Sequence, residues 1–449
     1  MHITRTQYLV LGLTLFISSL LHAAPFRDGD IAVFYGDSIT AGGKYYSYIY
    51  DYYLTRFPTR TISFINAGIS GDSAGGAFGR MEEDVITKKP SVVCVMFGMN
   101  DVGRGNYVSN ATPSQLAAQN NAIKHYEANM TKLLNTLAAS ATKPELYLLT
   151  PSPFDQTAIN DRNNNQPGCN DGLGRCATFV RATAPAFHAK VIEFYAAMTA
   201  LNKQVHQNNP KATIIGSDRV HPGAAGHTYM AYLFLKAQGV PAEVSTITID
   251  TTAAAKNATV SGLTRTATSL SFTVKENALP FPLDPAAAEM LTWGVAFHQE
   301  LNQQMLTIKG LKAGMYQLKI DNTPTVTASA EVFAAGINLA TNTTPQLLQA
   351  KKVAQINEQR RSAESKIRLY AAVRWYLGHR KVNPDDAIAV QQHYDNLPNK
   401  TGYYESRIPE YLKEWKTIST VFDRVNQLTA EARAAAQPVE HRYELIPAN

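Results

Sequence analysis

Four short stretches of the chain carry residue types that together could cleave an ester. Gly36-Asp37-Ser38-Ile39-Thr40 supplies a hydroxyl, and Ile69-Ser70-Gly71-Asp72 a glycine whose backbone N–H a substrate can approach closely. Gly98-Met99-Asn100-Asp101 supplies a side-chain amide, and Asp218-Arg219-Val220-His221-Pro222 an imidazole with a carboxylate three residues before it. A serine hydroxyl attacks a carbonyl only when a base takes its proton. His221 is the candidate base; Asp218 can hold its tautomer and stabilise the imidazolium that forms. Attack puts negative charge on the carbonyl oxygen, and the N–H groups of Ser38 and Gly71 with the Asn100 amide are the candidate donors to it. Losing one such donor costs on the order of 10²–10³ in kcat.

Each stretch also has a plainer reading. Asp37 and Ser38 can simply cap a following helix, and a lone histidine near a turn is ordinarily unremarkable. The Asp218 partner and the Pro222-Gly223 turn favour the catalytic reading for His221, whereas His227 reads as a packing residue. A competing motif, Gly71-Asp72-Ser73-Ala74-Gly75, fits the Gly-x-Ser-x-Gly nucleophile elbow and would make Ser73 the attacking group. An elbow needs several earlier strands to build its sheet, but one credible strand precedes this one, and no His-Gly-Gly segment lies upstream. Ser38 is therefore the preferred nucleophile and Ser73 a local hydrogen-bonding residue.

Short apolar runs must position these groups. Ile31–Tyr35, Thr61–Ile65, Val92–Phe97, Leu146–Thr150 and Thr213–Gly216 read as buried strands, being continuous and largely β-branched or aromatic. Helices are expected over Tyr45–Arg56, Gly79–Thr87, Pro113–Ala139, Ala184–Asn208 and Pro222–Gln238. Strands separated by helices imply right-handed βαβ crossovers and a parallel sheet covered on both faces. Ligands of such sheets sit beyond the carboxyl ends of the strands, where all four stretches fall.

With 449 residues the chain exceeds one ordinary core, so two domains are the starting expectation. Its 45% hydrophobic and 17% charged residues are those of a globular protein rather than a disordered one. The net charge of +6 is spread without a dense Lys/Arg run, which argues against a nucleic-acid partner. Arg5, the apolar run Tyr8–Leu21 and the small residues Ala23 and Ala24 have the layout of a signal peptide. The run is short for a membrane anchor, which needs roughly 20 apolar residues; export with cleavage after Ala23 or Ala24, and no membrane segment in the mature chain, is the expectation. Cys169 and Cys176 flank a polar, glycine-containing stretch and are expected to pair as a disulfide in an oxidising compartment. Cys94, inside an apolar run, reads as an inert buried residue.

Beyond residue 241 the texture changes. Val244–Ile249, Ala258–Val260, Ser269–Val274, Met305–Ile308 and Tyr316–Ile320 read as a small β-rich module. From Pro345 the chain becomes helical: one helix to about Arg380, a second capped near Asn383-Pro384-Asp385-Asp386, and a third after the break at Asn396–Gly402. Val353, Ile356, Ile367, Tyr370, Val373 and Leu377 supply a packed face, on the helices themselves or on the catalytic domain.

The four stretches in order resemble the SGNH, or GDSL-type, hydrolase superfamily. On that resemblance Ser38 is the nucleophile, Gly71 and Asn100 belong to the oxyanion hole, and Asp218 and His221 fall on the family's Asp-x-x-His. The likeness covers about residues 30–240 and implies a three-layer α/β/α, flavodoxin-like fold with a five-stranded parallel sheet, and ester hydrolysis without metal or cofactor. The expected organisation is a signal peptide (1–24), a catalytic domain (25–240), a β-rich module (241–344) and a helical region (345–449). The tyrosine-rich segment Tyr45–Tyr53 offers rings for sugar stacking or simply packs a helix. A short acyl ester, foremost an O-acetyl group on polysaccharide, is the expected substrate. Thioesterase or lysophospholipase action, O-acyl transfer, or a catalytically silent polysaccharide-binding role are the alternatives.

Overall fold

The computed structural model describes residues 25–159, 165–266 and 268–448; the expected signal peptide lies outside the described residues. Five parallel strands form the catalytic sheet: β1 (Ile31–Gly36), β2 (Ser63–Gly68), β3 (Val92–Met96), β4 (Glu145–Leu149) and β5 (Lys190–Ile192). Their spatial order is β2-β1-β3-β4-β5. The chain steps from β1 to one side and then returns to the other, so the order reverses beside β1, the switch point at which open α/β sheets bind ligands. Register then aligns the motifs: Gly36 pairs with both Gly68 and Met96, so the three strands end level at one rim.

Around the sheet run α1 (Ser38–Gly42), α2 (Lys44–Arg56), α3 (Ala74–Phe78), α4 (Met81–Asp84), α5 (Pro113–Ala139), α6 (Cys169–Thr183), α7 (Tyr195–Asn208) and α8 (Ala224–Ala237). α5 begins with a reciprocal capping box between Thr112 and Gln115, with Pro113 opening the helix. α2 is buried on all sides, and its tyrosine tips reach outward to hydrogen-bond other regions. Tyr52 donates to Pro241 O at 2.5 Å, Tyr53 to Gln238 at 2.9 Å, Tyr48 to Asp284 at 2.6 Å and Tyr46 to Glu364. Every residue of α2 from Tyr45 to Arg56 is buried, so these rings pack the interior rather than form an open aromatic surface.

Several expectations change. Thr213–Gly216 is not the fifth strand: Ile215 bridges Pro222 in an antiparallel turn, and Lys190–Ile192 occupies the sheet edge. The expected continuous helix Ala184–Asn208 breaks after a 3-10 turn at Ala184–Phe187, where His188 takes a left-handed φ of 49°. The expected Cys169–Cys176 disulfide is absent; both thiols are free and buried. They lie seven residues apart on α6, and at about 1.5 Å rise per residue their backbones are too far apart to bridge.

Downstream, β6 (Glu243–Ile249), β7 (Ala253–Lys256), β8 (Ala258–Arg265), β9 (Leu270–Glu276), β10 (Gln303–Ile308), β11 (Met315–Ile320), β12 (Thr323–Ser329), β13 (Ile337–Asn338) and β14 (Glu440–Pro447) build two sheets, β13-β10-β6-β7 and β12-β11-β14-β9-β8. They enclose a second core of residues such as Ile247, Phe272, Leu306, Leu318 and Tyr443. β14 comes from the end of the region expected to be helical and inserts between β9 and β11. The helices between β13 and β14 are thus bracketed by the β-rich module. Buried Arg56 joins that module to α2, donating to Pro241 O at 2.8 Å, Glu243 O at 2.6 Å and Leu301 O at 3.1 Å.

The long helix Pro345–His379 lies against β2, the open edge of the catalytic sheet. Its buried polar stripe, Asn357, Arg360, Glu364 and Arg368, meets that edge at helical spacing. Glu364 accepts from Asn66 N at 3.1 Å, and Arg368 Nε donates to Gly68 O at 3.0 Å, so side chains satisfy backbone groups a neighbouring strand would otherwise take. Arg368 also grips Asp84 through two bonds of 3.0 and 2.9 Å, and Arg80 reaches the same carboxylate at 2.7 Å.

Arg368→Ala should therefore cost about 3 kcal/mol in denaturant unfolding, as expected for breaking a buried ion pair. Without reductant, Ellman's reagent should titrate three thiols per chain once the protein is denatured, and none of the three rapidly in the native state, because all are buried.

Candidate active site

At the end of β1 the chain turns at Asp37, whose carboxylate caps α1 by accepting from Ile39 N at 3.0 Å. Ser38 is the first helical residue. Capping and exposure of the hydroxyl coexist, because the cap is Asp37 and Ser38 Oγ is left 2.7 Å from His221 Nε2. His221 Nδ1 is hydrogen-bonded to Asp218 Oδ2, while Asp218 Oδ1 accepts from the N–H groups of Val220 and His221 at 3.0 and 2.9 Å. With the proton on Nδ1 facing the carboxylate, Nε2 is the acceptor for the serine hydroxyl. Partial burial would raise the Asp218 pKa, but the bonds from His221 and the backbone outweigh it and hold the carboxyl below its ordinary value. The His221 and Asp218 side chains remain 47% and 30% exposed, so the rim is open to solvent.

No sheet strand carries the His221 loop, so it needs its own frame. Gly216 N donates to His221 O at 2.6 Å and Gly223 N to Ile214 O at 3.1 Å, closing a hairpin-like turn. Arg219 takes a left-handed φ of 68°, and its buried guanidinium donates to Asp155 O at 3.0 Å and Ala158 O at 2.8 Å.

Gly71 lies in the turn that follows β2. Asp72 N donates to Ile69 O at 3.2 Å, and Ile69 N to Gly36 O at 3.1 Å, which ties the turn to the end of β1. The Gly71 φ of 76° is the left-handed conformation that favours glycine at the third position of a tight turn. Asn100 Nδ2 donates to Asp72 O at 2.8 Å, and Arg104 Nη1 contacts Asn100 Oδ1 at 3.3 Å, orienting the amide. One Nδ2 hydrogen is spent on the turn; an amide carries two. Beneath, Arg80 donates to Asp72 Oδ2 and Ala67 O at 2.7 Å each and to Gly36 O at 3.1 Å, so one guanidinium joins the ends of β1 and β2 to the turn.

The residues singled out in the sequence thus gather at one rim. Ser38, His221 and Asp218 are in direct contact, and Asn100, in the segment after β3, donates to the turn after β2 that holds Gly71. Ser73 caps α3 by accepting from Gly76 N at 3.2 Å. His227 is buried against Tyr45, and burial lowers its pKa to about 3, so it remains neutral. Arg80, Arg104 and Arg219 escaped the sequence reading; their roles rest on contacts with backbone carbonyls and side-chain oxygens of folded turns, which leave no spacing pattern. Among the described residues no group of three or more His, Cys, Asp or Glu could hold a metal ion.

Residues 33–234 match the family described as GDSL-like lipase/acylhydrolase. The full architecture, extension included, is similar to the solved structure of a gut microbial diltiazem-metabolizing enzyme, with 31% identity, a TM-score of 0.89, and coverage of 95% of this chain and 99% of that one. The chain belongs to the GDSL-like lipase/acylhydrolase family. It is a carboxylic ester hydrolase. It is also 27% identical over 226 residues to an acetylxylan esterase of Geobacillus stearothermophilus, covering 47% of this chain and 94% of that protein.

Burial pushes the Asp37 pKa up to about 7, with smaller contributions from Asp101 and Asp72. A carboxyl raised in the native state stabilises the fold in its protonated form. That contribution is complete below about pH 4 and disappears as pH rises through 7. Asn can keep the cap without ionising. Between pH 5 and 8, Asp37→Asn should therefore gain on the wild type by on the order of 2 kcal/mol, seen as a widening gap between their unfolding midpoints.

Proposed function

We propose that this protein is an exported serine esterase that removes short acyl groups, foremost O-acetyl, from carbohydrate through an acyl-enzyme on Ser38. The observation that carries the serine chemistry is the continuous relay from Ser38 Oγ to His221 Nε2 at 2.7 Å and from His221 Nδ1 to Asp218. In the first half-reaction His221 takes the Ser38 proton as Oγ bonds to the ester carbonyl carbon. The negative oxygen accepts from the Ser38 and Gly71 N–H groups and the second Asn100 Nδ2 hydrogen. Collapse breaks the ester C–O bond, and His221 returns the proton to the departing sugar oxygen. Water then attacks the acyl-enzyme with His221 again as base, releasing the carboxylic acid and restoring Ser38.

Three features support the carbohydrate assignment. The acetylxylan esterase likeness runs over 226 residues and takes in 94% of that protein. His221 and Asp218 stand open to solvent, which suits an acyl group projecting from a polymer. Tyr403, 44% exposed, lies against the Gly71 turn through a 3.0 Å bond between its hydroxyl and Ser70 Oγ, and offers an aromatic surface where Tyr45–Tyr53 do not. Export rests on the residue pattern from Arg5 to Ala24.

Ser38→Ala should lose more than about 10³-fold in kcat and all labelling by an organophosphonate, while Ser73→Ala keeps both. Acetate release from acetylated xylan should exceed turnover of long-chain p-nitrophenyl esters, thioesters and lysophospholipids. Preference for long acyl chains without sugar deacetylation would reject the substrate assignment, and a dominant acyl transfer to added sugar would reject hydrolysis as its role.

A further inference from the structure

We propose that the C-terminal helical region is part of the catalytic apparatus, with Tyr404 as the positioning residue for the Gly71 N–H donor. The proposal rests on the reading of Gly71 as an oxyanion donor. The Tyr404 hydroxyl donates to the Ser70 carbonyl, more than 330 residues away in the chain. Ser70 C=O and Gly71 N–H belong to one planar peptide unit and point in opposite directions. A donor fixed on the carbonyl therefore fixes the direction of the N–H. It also polarises the amide, which strengthens the N–H as a donor. Such a clamp matters here because glycine permits the plane to rotate more freely than any other residue.

Tyr404 is itself held. Its ring stacks on Tyr376 at 5.3 Å between centroids and lies 5.7 Å from Trp375, both on the long helix Pro345–His379. A Cβ added to Gly71 would lie 3.0 Å from the Tyr404 hydroxyl, and one on Gly76 of α3 would lie 3.2 Å from Trp375 Cζ2. The helical region thus presses on the turn through Tyr404 and on the element after it through Trp375 of the long helix. Burial pushes the Tyr404 hydroxyl up to about 12, so it stays protonated and donates throughout the working pH range. From the other side Asn100 holds Asp72 O, so the turn is gripped at both flanking carbonyls.

The test is Tyr404→Phe in the full-length protein, which removes the hydroxyl and keeps the ring. Kinetics on p-nitrophenyl acetate should show kcat down about tenfold, less than for outright loss of a donor, with KM within twofold. Inhibition by a short alkylboronic acid, which forms a tetrahedral adduct with an active serine, should weaken by the same factor. The unfolding midpoint and the final extent of organophosphonate labelling should match the wild type. Wild-type kcat and boronate affinity would overturn the proposal and leave the Ser38 reading standing. A fall in kcat matched by a fall in labelled fraction or midpoint would also overturn it, as a purely structural effect. If Ser38→Ala keeps activity and labelling, the underlying reading of the site fails instead, independently of Tyr404.

Discussion

The geometry of the site depends on one constraint, the parallel register that sets Gly36 level with Gly68 and Met96. Parallel strands leave the sheet at the same rim, so the motifs after β1, β2 and β3 emerge side by side although about 30 residues separate each from the next. Hydrogen bonds then draw them tighter. Gly36 O accepts from Ile69 N and from Arg80, and Arg80 also holds Asp72 and Ala67 O. A slip of register would move the Gly71 turn relative to Ser38 and separate the proposed donor from the proposed nucleophile.

The second half of the chain is integral to this arrangement. β2 is an edge strand, and its open backbone groups are met by Glu364 and Arg368 rather than by another strand. That solution needs a charged helix face to be buried, and the charges are matched: Arg368 with Asp84, Arg360 with Glu364, and Arg80 with both Asp72 and Asp84. The Asp84 carboxyl is held well below the usual range because the two guanidiniums outweigh its burial. β14 closes the β-rich module only after the helices have been laid down, so the chain's last strand locks their ends in place.

Much of the catalytic unit was legible in the sequence because its signals are local. Three of the five strands, β1, β3 and β4, are largely apolar runs, α5 has a cap and Pro113 at its start, and Ser38, Gly71, Asn100, Asp218 and His221 stand in short motifs. β5, three residues long, is too brief for any periodicity to show. Thr213–Gly216 has strand-like residues, but its hydrogen bonds go to the His221 turn. The stripe Asn357–Arg360–Glu364–Arg368 reads as a solvated face, since burying such residues is favourable only when partners lie opposite. The same limit hid Tyr404.

The amino-acid sequence by itself determined the α/β class, the first four strands of the catalytic sheet and the chemical groups on offer, because these follow from hydrophobic period and residue type over a few neighbours. Tertiary structure alone decided that Cys169 and Cys176 are separated along one helix, that other regions enclose the tyrosines of α2, and that Tyr404 rests on the peptide of Gly71. Each of these is a contact or a separation set by how distant segments pack. Such packing energies depend on what lies across the interface, which no window of adjacent residues contains.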